Sequence, residues 1–571
     1  MTYVVTQPCC NDASCVEVCP VDCIRPTPRD PDYRTTEMLY IDPKTCIDCG
    51  ACMDACPVDA IYQDSSLPAK DDHYKAINAE YFELHPLKSK GLPFFPLTSF
   101  KVPREEVPLR VAVVGAGPSA CYAAADLLTH GANGAVEIDM FDRLPTPWGL
   151  VRAGVAPDHP GTKAVTDLFR SFGTKAPFAF HLNVEVGQHV THDELMEHHH
   201  AVIYAVGALR DKKMGIPGED LPGSHAATEF VAWYNGHPDY ADRSFDLSGT
   251  RAVIVGNGNV ALDVARILVS DPDDLARTDI ADHALEALRK SNIREVVVIG
   301  RRGPAQAAYT SPELIALGQM PGVDVVVDPQ DLMLDESSAA LMRGVDSSMA
   351  SRVKTRVAQE FAFRATDDSK KRIVLRFLLS PTAIIGADRT ESLELVHNEL
   401  YENATGKLQA RATERTEAIE TTLVLRSIGY HGTPVRGVPF DDESGVIPNV
   451  DGRVIDPRSG EPLPGVYVTG WVKRGPSGVI GTNKKCAQET VAALFEDLTE
   501  GRLVRPDEAH RREAITALVR SRQPDVVDYR GWQAIDAEER KRGREGGRVR
   551  NKLTDTQAMI EVAQQVSERL S

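Results

Sequence analysis

Nine of the chain's 11 cysteines lie within its first 56 residues, and this crowding restricts the fold of that segment more than any other feature. Cys46, Cys49, Cys52 and Cys56, followed by Pro57, have the spacing C-x2-C-x2-C-x3-C-P. A tight loop of this kind gives three thiolates to one iron–sulfur cluster and the fourth to another, whereas structural zinc uses separated cysteine pairs. The spacing therefore predicts iron–sulfur ligation.

An internal repeat, offset by 37 residues, predicts which cysteines share a cluster. Residues 19–24 (CPVDCI) resemble residues 56–61 (CPVDAI), and the same offset aligns the earlier cysteines of the two halves. The second half is expected to give three thiolates to a [4Fe–4S] cluster that the first half completes. The predicted ligands of this second cluster are Cys46, Cys49, Cys52 and Cys19, and those of the first cluster are Cys9, Cys15 and Cys56.

The first half of the repeat lacks one thiolate, because Asp12 stands where the second half has Cys49. A carboxylate oxygen holds iron in a sulfide cluster less firmly than a thiolate does. We therefore predict a [3Fe–4S] cluster there, or a [4Fe–4S] cluster with a labile iron bound by Asp12. Cys10 is an alternative fourth ligand. Cys23, whose repeat partner is Ala60, is expected to be a buried free thiol beside the second cluster.

Residues 1–66 resemble the seven-iron bacterial ferredoxins, which implies an α+β domain of the two-cluster type. This segment carries 11 acidic and 4 basic residues, a net charge of −7. In the following residues 67–108, the stretch 67–82 is compatible with one helix, and the remainder carries five prolines and no helical period. Proline at this density favours an extended, semi-rigid chain, so this segment is predicted to be a linker.

Two patterns downstream are typical of dinucleotide-binding folds. A buried-strand pattern at 109–114 leads into Gly115-Ala-Gly117, and the next predicted strand ends at Asp142. In such a unit the first glycine makes the tight turn and the second lets a pyrophosphate approach the helix N-terminus. The terminal acid accepts from a ribose hydroxyl.

The second pattern starts from a strand at 251–255 and leads into Gly256-Asn-Gly258. Its next strand candidate, 295–300, ends in Arg301 and Arg302 rather than in an acid. An acid would repel a 2′-phosphate, whereas guanidinium groups bind it bidentately. The second site is therefore predicted to prefer NADPH over NADH.

Three longer motifs bring the two patterns together. The segments 149–160 (GLVRAGVAPDHP), 300–303 (GRRG) and 470–478 (GWVKRGPSG) resemble the adrenodoxin-reductase family of ferredoxin–NADP reductases. With the N-terminal segment, the whole chain resembles the actinobacterial ferredoxin/ferredoxin–NADP reductase type.

The resemblance implies an α/β flavoprotein with two dinucleotide-binding domains. The implied division is an FAD domain at 109–210, an inserted NADPH domain at 211–430, and a second part of the FAD domain with a C-terminal extension at 431–571. The charged stretch 538–550 is expected to be an exposed turn and helix that offers positive charge to the acidic N-terminal domain.

The resemblance also implies the residues of each site. The expected FAD contacts are Gly115, Ala116, Gly117, Pro118, Ser119, Asp142, Leu150, Val186, Trp471, Gly478, Val479 and Ile480. The expected NADP contacts are Lys212 (with Arg210 as an alternative), Gly256, Asn257, Gly258, Asn259, Val260, Arg301, Arg302, Glu313 and Gly478. Asp158 and His159 match a family pair near the flavin, where an imidazole can handle a proton.

The implied activity is that of an NADPH-dependent ferredoxin–NADP reductase. Hydride would pass from NADPH to FAD, and single electrons would then pass to the fused clusters and on to a redox partner such as a ferredoxin or a monooxygenase, in either net direction. Three alternative functions would each need a different feature. A disulfide reductase needs a Cys-x-x-Cys near the flavin, a glutamate synthase small subunit needs an amidotransferase partner, and a pure electron carrier would have a degenerate reductase.

Composition restricts the location and the partners. Lys+Arg number 64 against 82 Asp+Glu, and the net charge of −18 disfavours nucleic acid or an anionic membrane surface as the main partner. The sequence has no apolar run of membrane-spanning length and no secretory signal pattern at its N-terminus. A cytoplasmic, monomeric protein is expected.

Overall fold

A computed structural model gives the conformation of most of the chain. It describes residues 2–87, 108–131, 135–332, 349–404, 408–504, 506 and 512–568. Among these described residues, no helix combines the length and the apolar character needed to cross a membrane.

The N-terminal part, called here the cysteine-rich domain (residues 2–87), combines two short antiparallel ribbons with small helices. The ribbons are Tyr3–Val5 with Ile61–Gln63, and Ile24–Arg25 with Tyr40–Ile41. The α-helices are Ser14–Glu17, Ala51–Asp54 and His73–Leu84, and 3-10 turns lie at Pro31–Arg34 and Ala69–Asp71.

The helix His73–Leu84 holds the two ribbons together. The buried Asn78 side chain accepts hydrogen bonds from the amides of Val5 and Ile41, at 3.3 and 3.0 Å, one in each ribbon. The Asn78 amide group also donates to the Val5 carbonyl oxygen at 3.0 Å. This helix is therefore part of the cysteine-rich domain.

The linker therefore starts later in the chain than residue 67, where it was predicted to start. Residues 67–87 pack on the cysteine-rich domain, because Tyr74, Ile77 and Tyr81 bury their side chains in its core. The remaining part of the predicted linker, 88–107, lies outside the described residues.

The larger part of the chain is built around two parallel sheets. The first is seven-stranded and takes strands from both 109–204 and 449–468. Its order is Asn449–Val450, Arg453–Ile455, Pro462–Val468, Ala201–Tyr204, Leu109–Val114, Val136–Asp142, Phe178–Leu182, of which the last five are parallel. Leu109–Val114 is buried along its whole length, as expected for a parallel strand that is covered on both faces.

The second sheet has six parallel strands, all from residues 224–426. Its order is Ser224–Ala226, Leu423–Arg426, Arg251–Val255, Glu295–Ile299, Lys371–Arg376, Val323–Val327. An antiparallel sheet of Leu379–Ile385, Ser392–Glu402 and Leu408–Glu420 extends from it. Where the chain leaves the first unit and returns to it, Arg210–Asp211 pairs with Tyr430–His431.

Helices accompany both sheets. In the chain segments that form the first they are Pro118–His130, Leu150–Ala153, Pro160–Lys163, Val165–Gly173, His192–His198, Trp471–Arg474 and Thr482–Thr499. In those of the second they are Ala227–Tyr234, Asn259–Val269, Pro272–Leu275, Asp282–Arg289, Ser311–Leu317 and Met349–Phe363, with 3-10 turns at Pro238–Tyr240, Pro304–Gln306 and Pro329–Leu332. The C-terminal helices are Arg512–Arg522, Tyr529–Glu545 and Thr556–Glu568.

The charged stretch 538–550 is for the most part the exposed helix and turn expected from the sequence, but some of its charges have internal partners. Glu539 is fully buried and accepts hydrogen bonds from Arg152 at 2.9 Å and Arg550 at 2.6 Å. Arg548 forms an ion pair with Asp282. The face of this helix that carries Glu539 packs on the first sheet unit, while Lys541, Arg542 and Arg544 are exposed.

Candidate redox site

The thiols predicted for the first cluster surround one cavity. Cys9, Cys15 and Cys56 line this cavity together with Cys10 and Asp12. Burial raises the pKa of the Cys9 thiol to about 12, so a thiolate there needs nearby positive charge, which cluster iron supplies. The donor set and the cavity therefore fit an iron–sulfur cluster. Both alternative fourth ligands lie at its wall.

The thiols predicted for the second cluster also lie close together. The pKa of Cys52 is raised to about 12, chiefly by burial and in part by the neighbouring thiols of Cys46, Cys19 and Cys49 as negative charges. Cys23 is buried, with its sulfur 3.5 Å from that of Cys19. Four converging thiols with an additional buried thiol match the arrangement expected from the sequence.

The repeat is visible in the backbone as well as in the sequence. Asn11 and its equivalent Asp48 both have φ of 58°, and Asp22 and its equivalent Asp59 have φ of 52° and 50°. Left-handed conformations are uncommon outside glycine, so their recurrence at matched positions shows one loop geometry used twice. Asp12 accordingly occupies the backbone position that Cys49 occupies in the second loop.

The first dinucleotide loop has the geometry that a pyrophosphate requires. Gly115 has φ of 105°, and a Cβ atom there would lie 2.5 Å from the carbonyl oxygen of Ala205. Gly117 has no neighbouring atom within 4 Å of its Cβ position, so its backbone faces open space. Gly115 is packed against the neighbouring backbone and Gly117 faces open space, which is the arrangement that a dinucleotide phosphate needs.

Asp142 organises this loop from the end of the neighbouring strand. Its carboxylate accepts hydrogen bonds from the amides of Ala116, at 2.8 Å, and Leu144, at 2.9 Å. Burial raises its pKa, and the two amides act in the opposite direction. A carboxylate oxygen has more than one lone pair, so Asp142 retains the capacity to accept from a ribose hydroxyl.

Two segments distant in sequence close over this loop. Gly149 has φ of 48°, and its Cβ position is 3.0 Å from the Cα of Gly117. Gly470 lies so close to Ser119 that a side chain would overlap it, and the Ser119 hydroxyl donates to Asn483 Oδ1 at 2.9 Å. Gly149 and Gly470 each precede an expected FAD contact, Leu150 and Trp471. Both glycines therefore have a steric role that the sequence did not indicate.

The remaining residues predicted for FAD lie around the same unit. Leu150 begins the helix after Gly149, and Trp471 begins the helix after Gly470, its indole nitrogen donating to Ser477 O at 3.2 Å. Val186 packs at the edge of the core cluster on the first sheet. Three further predicted contacts lie in the loop before the helix Thr482–Thr499: Gly478, Val479 and Ile480.

The second dinucleotide loop repeats the geometry of the first. Gly256 has φ of 108° and lies against the carbonyl of Ser427, while nothing lies within 4 Å of the Cβ position of Gly258. A side chain at Gly300 would overlap Asn257, which fixes the turn just before the arginine pair. Asn259 Oδ1 accepts from the Thr310 amide at 2.7 Å, and Val260 follows it in the helix Asn259–Val269.

The arginine pair lies at the end of the neighbouring strand, as predicted. Arg301 is exposed and Arg302 is half-buried; burial lowers the pKa of Arg302, and Arg301 lowers it further. The Arg301 carbonyl oxygen accepts a hydrogen bond from Asn398 at 3.0 Å. Lys212 and Arg210 are both exposed beside the ribbon that joins the two units, and the structure does not distinguish them.

Asp158 and His159 contact different side chains, Arg266 and Glu313 respectively. Asp158 forms a bidentate ion pair with Arg266, at 2.6 and 3.1 Å. Burial by itself raises the pKa of Asp158, but Arg266 outweighs burial and leaves it below its ordinary value. A carboxylate held in this way does not exchange protons near neutral pH. Its structural role is to position Arg266.

His159 instead belongs to a compact group of titratable side chains. Ligand atoms of His159, Asp263 and Glu313 lie within 4.8 Å of one another, and His159 Nε2 is 3.9 Å from Glu313 Oε2. Burial raises the pKa of Glu313, while His159 lowers it. Asp263 was not predicted. It lies four positions after Asn259 on the same helix, which is the signal that could have found it.

The cysteine-rich domain contacts both sheet units directly. The amide of Gly481 donates to the carbonyl oxygen of Cys10 at 2.7 Å, which joins the segment after Ile480 to the first cysteine loop. On the other side, Glu37 forms an ion pair with Lys354 at 2.5 Å, and both side chains are at most 10% exposed. The domain is thus held between the two units.

Comparisons with known proteins agree with this architecture. Residues 39–62 match the family described as 4Fe-4S binding domain. A Mycobacterium leprae protein named "Probable ferredoxin/ferredoxin–NADP reductase" is 48% identical over 569 residues, which are 99% of this chain and 98% of that protein. The chain belongs to the ferredoxin/ferredoxin–NADP reductase family.

Other members of the wider family match only the reductase part. NADPH-ferredoxin reductase FprA of Mycobacterium tuberculosis is 48% identical across 80% of this chain and 99% of its own length. The solved structure titled "Mycobacterium tuberculosis FprA in complex with NADPH" superposes with a TM-score of 0.75, covering 80% of this chain and 100% of that one. The fold is therefore a 4Fe-4S binding domain followed by an FprA-like flavoprotein, which confirms the resemblance inferred from the motifs.

Proposed function

We propose that this member of the ferredoxin/ferredoxin–NADP reductase family transfers electrons from NADPH through FAD to its own iron–sulfur clusters and then to a protein acceptor. The observation that carries the internal part of this route is the contact between Gly481 and Cys10. It connects the loop expected to cover the flavin with the first cysteine loop, without an intervening layer of side chains. The names of full-length relatives support the same overall activity.

Each cofactor is assigned to residues whose surroundings fit it. FAD is assigned to the loop 115–119, with Asp142 at its ribose and the segments at 149–150 and 470–480 closing over it. NADPH is assigned to the loop 256–260, with Arg301 and Arg302 on the 2′-phosphate. When bound, FAD takes a hydride from NADPH and releases the electrons singly to the clusters.

The residues around the expected meeting point of the two nucleotides then have defined tasks. His159 is assigned as the group that accepts or donates a proton at Nε2, because it is a partly exposed imidazole in contact range of two carboxyl groups. Arg266, held by Asp158, contacts Asp263 at 2.7 Å and Glu313 at 3.7 Å. Its guanidinium group therefore holds these two carboxyl groups in place beside the imidazole.

The two clusters are assigned different compositions. Cys19, Cys46, Cys49 and Cys52 offer four thiolates, which is the complete set for a [4Fe–4S] cluster. Cys9, Cys15 and Cys56 offer three, and Asp12 already has its carboxylate engaged by the backbone and hydroxyl of Ser14. We therefore assign a [3Fe–4S] cluster to the first site, with a labile fourth iron on Asp12 or a Cys10 ligand as the alternatives. A cytoplasmic location and a monomeric state stay predictions.

Electron paramagnetic resonance tests the internal route. The oxidised enzyme under anaerobic conditions is expected to show the signal of a three-iron cluster, and addition of NADPH is expected to abolish it while the flavin absorbance bleaches. Flavin bleaching with no change in cluster oxidation state would overturn the internal relay. Absence of flavin bleaching by NADPH would overturn the reductase assignment itself.

A further inference from the structure

The two halves of the repeat in the cysteine-rich domain lie in different surroundings. Cys10, in the first loop, is 4% exposed and lies beneath Gly481 of the first sheet unit. Its equivalent in the second loop is Ile47, which is 58% exposed. One loop is docked on the reductase part, and its copy is open to solvent.

The same contrast holds for a charged position. Glu17, beside the first loop, is 3.3 Å from the ammonium group of Lys484. Its repeat equivalent is Asp54, which is exposed and forms no ion pair with any described residue. The docked copy therefore shows which partner chemistry this position accepts: a lysine side chain on the surface that covers the loop.

Access to the clusters follows the same asymmetry. None of the three thiol ligands of the first site is exposed, whereas Cys49 of the second site is. Met53, one residue after the ligand Cys52, is 42% exposed beside it. Electron transfer weakens steeply with distance, so an external acceptor gains most by approaching the cluster whose ligand reaches the surface.

We propose that Ile47, Cys49, Met53 and Asp54, called here the open cluster face, form the surface at which a protein acceptor receives electrons. The acceptor is a one-electron carrier that presents lysine or arginine beside an apolar patch, as the reductase part does to the first loop. NADPH loses a hydride to become NADP⁺; the two electrons of that hydride leave through this face and reduce two acceptor molecules by one electron each, and its proton is released to solvent. This inference rests on the proposed function, because electrons must first reach the clusters.

Charge supports a basic acceptor over an acidic one. Residues 1–66 carry a net charge of −7, and Asp54 adds a local negative charge at the open cluster face. Complementary charge accelerates association and makes it sensitive to salt. The exposed Ile47 and Met53 supply apolar area at the centre of the contact, where interfaces are depleted in charge.

Cytochrome c, a basic one-electron acceptor, is the probe for this face in the full-length holoenzyme. Asp54→Lys is expected to raise the KM for cytochrome c roughly five-fold or more and to weaken its dependence on ionic strength, since a charge at a docking rim acts mainly on association. Glu83→Lys, the same charge reversal at an exposed position on the helix His73–Leu84, is the matched control. Ile47→Ser tests the apolar part without changing charge.

The outcomes separate this inference from the proposed function. Ferricyanide, a small anion that can take electrons without protein docking, should be reduced by NADPH at the wild-type rate in all three variants. Equal effects of Asp54→Lys and Glu83→Lys on cytochrome c, with ferricyanide turnover intact, would overturn the open cluster face. If the wild-type enzyme does not reduce ferricyanide with NADPH, that result overturns the proposed function instead. If Asp54→Lys loses iron, Ile47→Ser decides the question: an unchanged KM for cytochrome c overturns the face, and a raised one supports it.

Discussion

The carbonyl oxygen of Cys10 accepts a hydrogen bond from the amide of Gly481 across the boundary between the cysteine-rich domain and the first sheet unit. Gly481 has φ of −71°, which any residue adopts, so its backbone does not require glycine. The requirement is steric: a Cβ atom there would overlap the Cys10 oxygen and the Asp12 nitrogen.

Gly481→Ala is therefore expected to separate the first cysteine loop from the flavin-side segment. Cluster reduction by NADPH should slow roughly 10- to 100-fold, the cost typical of misplacing reacting groups by about 1 Å. NADPH–ferricyanide turnover should stay close to wild type. Rapid-freeze EPR after mixing with NADPH measures the first rate.

Gly161→Ala is the matched control for this substitution. Gly161 lies at the same domain boundary, but its Cβ position is 3.6 Å from the Val58 oxygen and 3.7 Å from Pro8 Cβ, ordinary contact distances. Equal slowing of cluster reduction by both alanine variants would show that the Gly481 contact has no special importance for electron transfer.

Replacing Arg301 and Arg302 together by alanine should change the cofactor preference. Each hydrogen bond to a charged group contributes about 1.5–3 kcal/mol. Loss of both arginine contacts to the 2′-phosphate should therefore lower kcat/KM for NADPH by roughly 100-fold or more. NADH lacks the 2′-phosphate, so kcat/KM for NADH should fall by less than about 3-fold. Steady-state kinetics with both cofactors measure the ratio, with the exposed Arg277→Ala as control. Parallel losses with the two cofactors would contradict the 2′-phosphate assignment.

Asp12→Cys should complete the ligand set of the first cluster. The variant is expected to bind one more iron per chain than the wild type and to lose the three-iron EPR signal, because a thiolate holds the fourth iron more firmly than a carboxylate. Cys10→Ala is the complementary variant. It should leave iron content unchanged if Asp12 is the gap in the ligand set, and loss of iron would instead identify Cys10 as a ligand.

Glu539→Gln should destabilise the protein in a pH-dependent way. Burial by itself raises the pKa of Glu539, but Arg152 and Arg550 outweigh burial and leave it below its ordinary value. Such a carboxylate stabilises the fold above its unfolded pKa of about 4.3 and loses this effect as pH falls through the lower folded value. The variant should lose about 3 kcal/mol of unfolding free energy at neutral pH, because it removes the buried carboxylate that pairs with Arg152 and Arg550 and leaves only Arg550 with another acidic partner, Asp536.

Urea unfolding at neutral pH and near pH 4 measures this difference, which should shrink at the lower pH. The neighbouring Glu538 is partly exposed and pairs with the exposed Arg542 on the same helix. Glu538→Gln is therefore expected to cost under about 1 kcal/mol at either pH. A pH-independent loss for Glu539→Gln would contradict the ionised state assigned to Glu539.

Local sequence patterns predicted the features whose geometry is set within a few residues. The glycine loops at 115–117 and 256–258 adopt the turns that their spacing requires, and the repeat predicted that Cys9, Cys15 and Cys56 share one cavity. Features that depend on distant partners were harder to predict. Nothing near Asp158 in sequence indicates Arg266, 108 positions away, which decides its ionic state.

The buried part of the C-terminal stretch 538–550 was missed for a related reason. A dense run of charges resembles a solvated surface, but the burial of Glu539 depends on Arg152, almost 400 positions earlier. A helix within 67–82 was expected, but its place in the cysteine-rich domain was not, since that place depends on the contacts of Asn78 with Val5 and Ile41.

The position of the cysteine-rich domain, between Gly481 on one side and Lys354 on the other, changes the kinetic order of the internal step. A carrier on a free tether must collide with its donor, and its rate then depends on solvent viscosity and on salt. A carrier already seated against the donor exchanges electrons in a first-order step that neither variable slows. In this enzyme diffusion is therefore expected to limit only the meeting with the external acceptor.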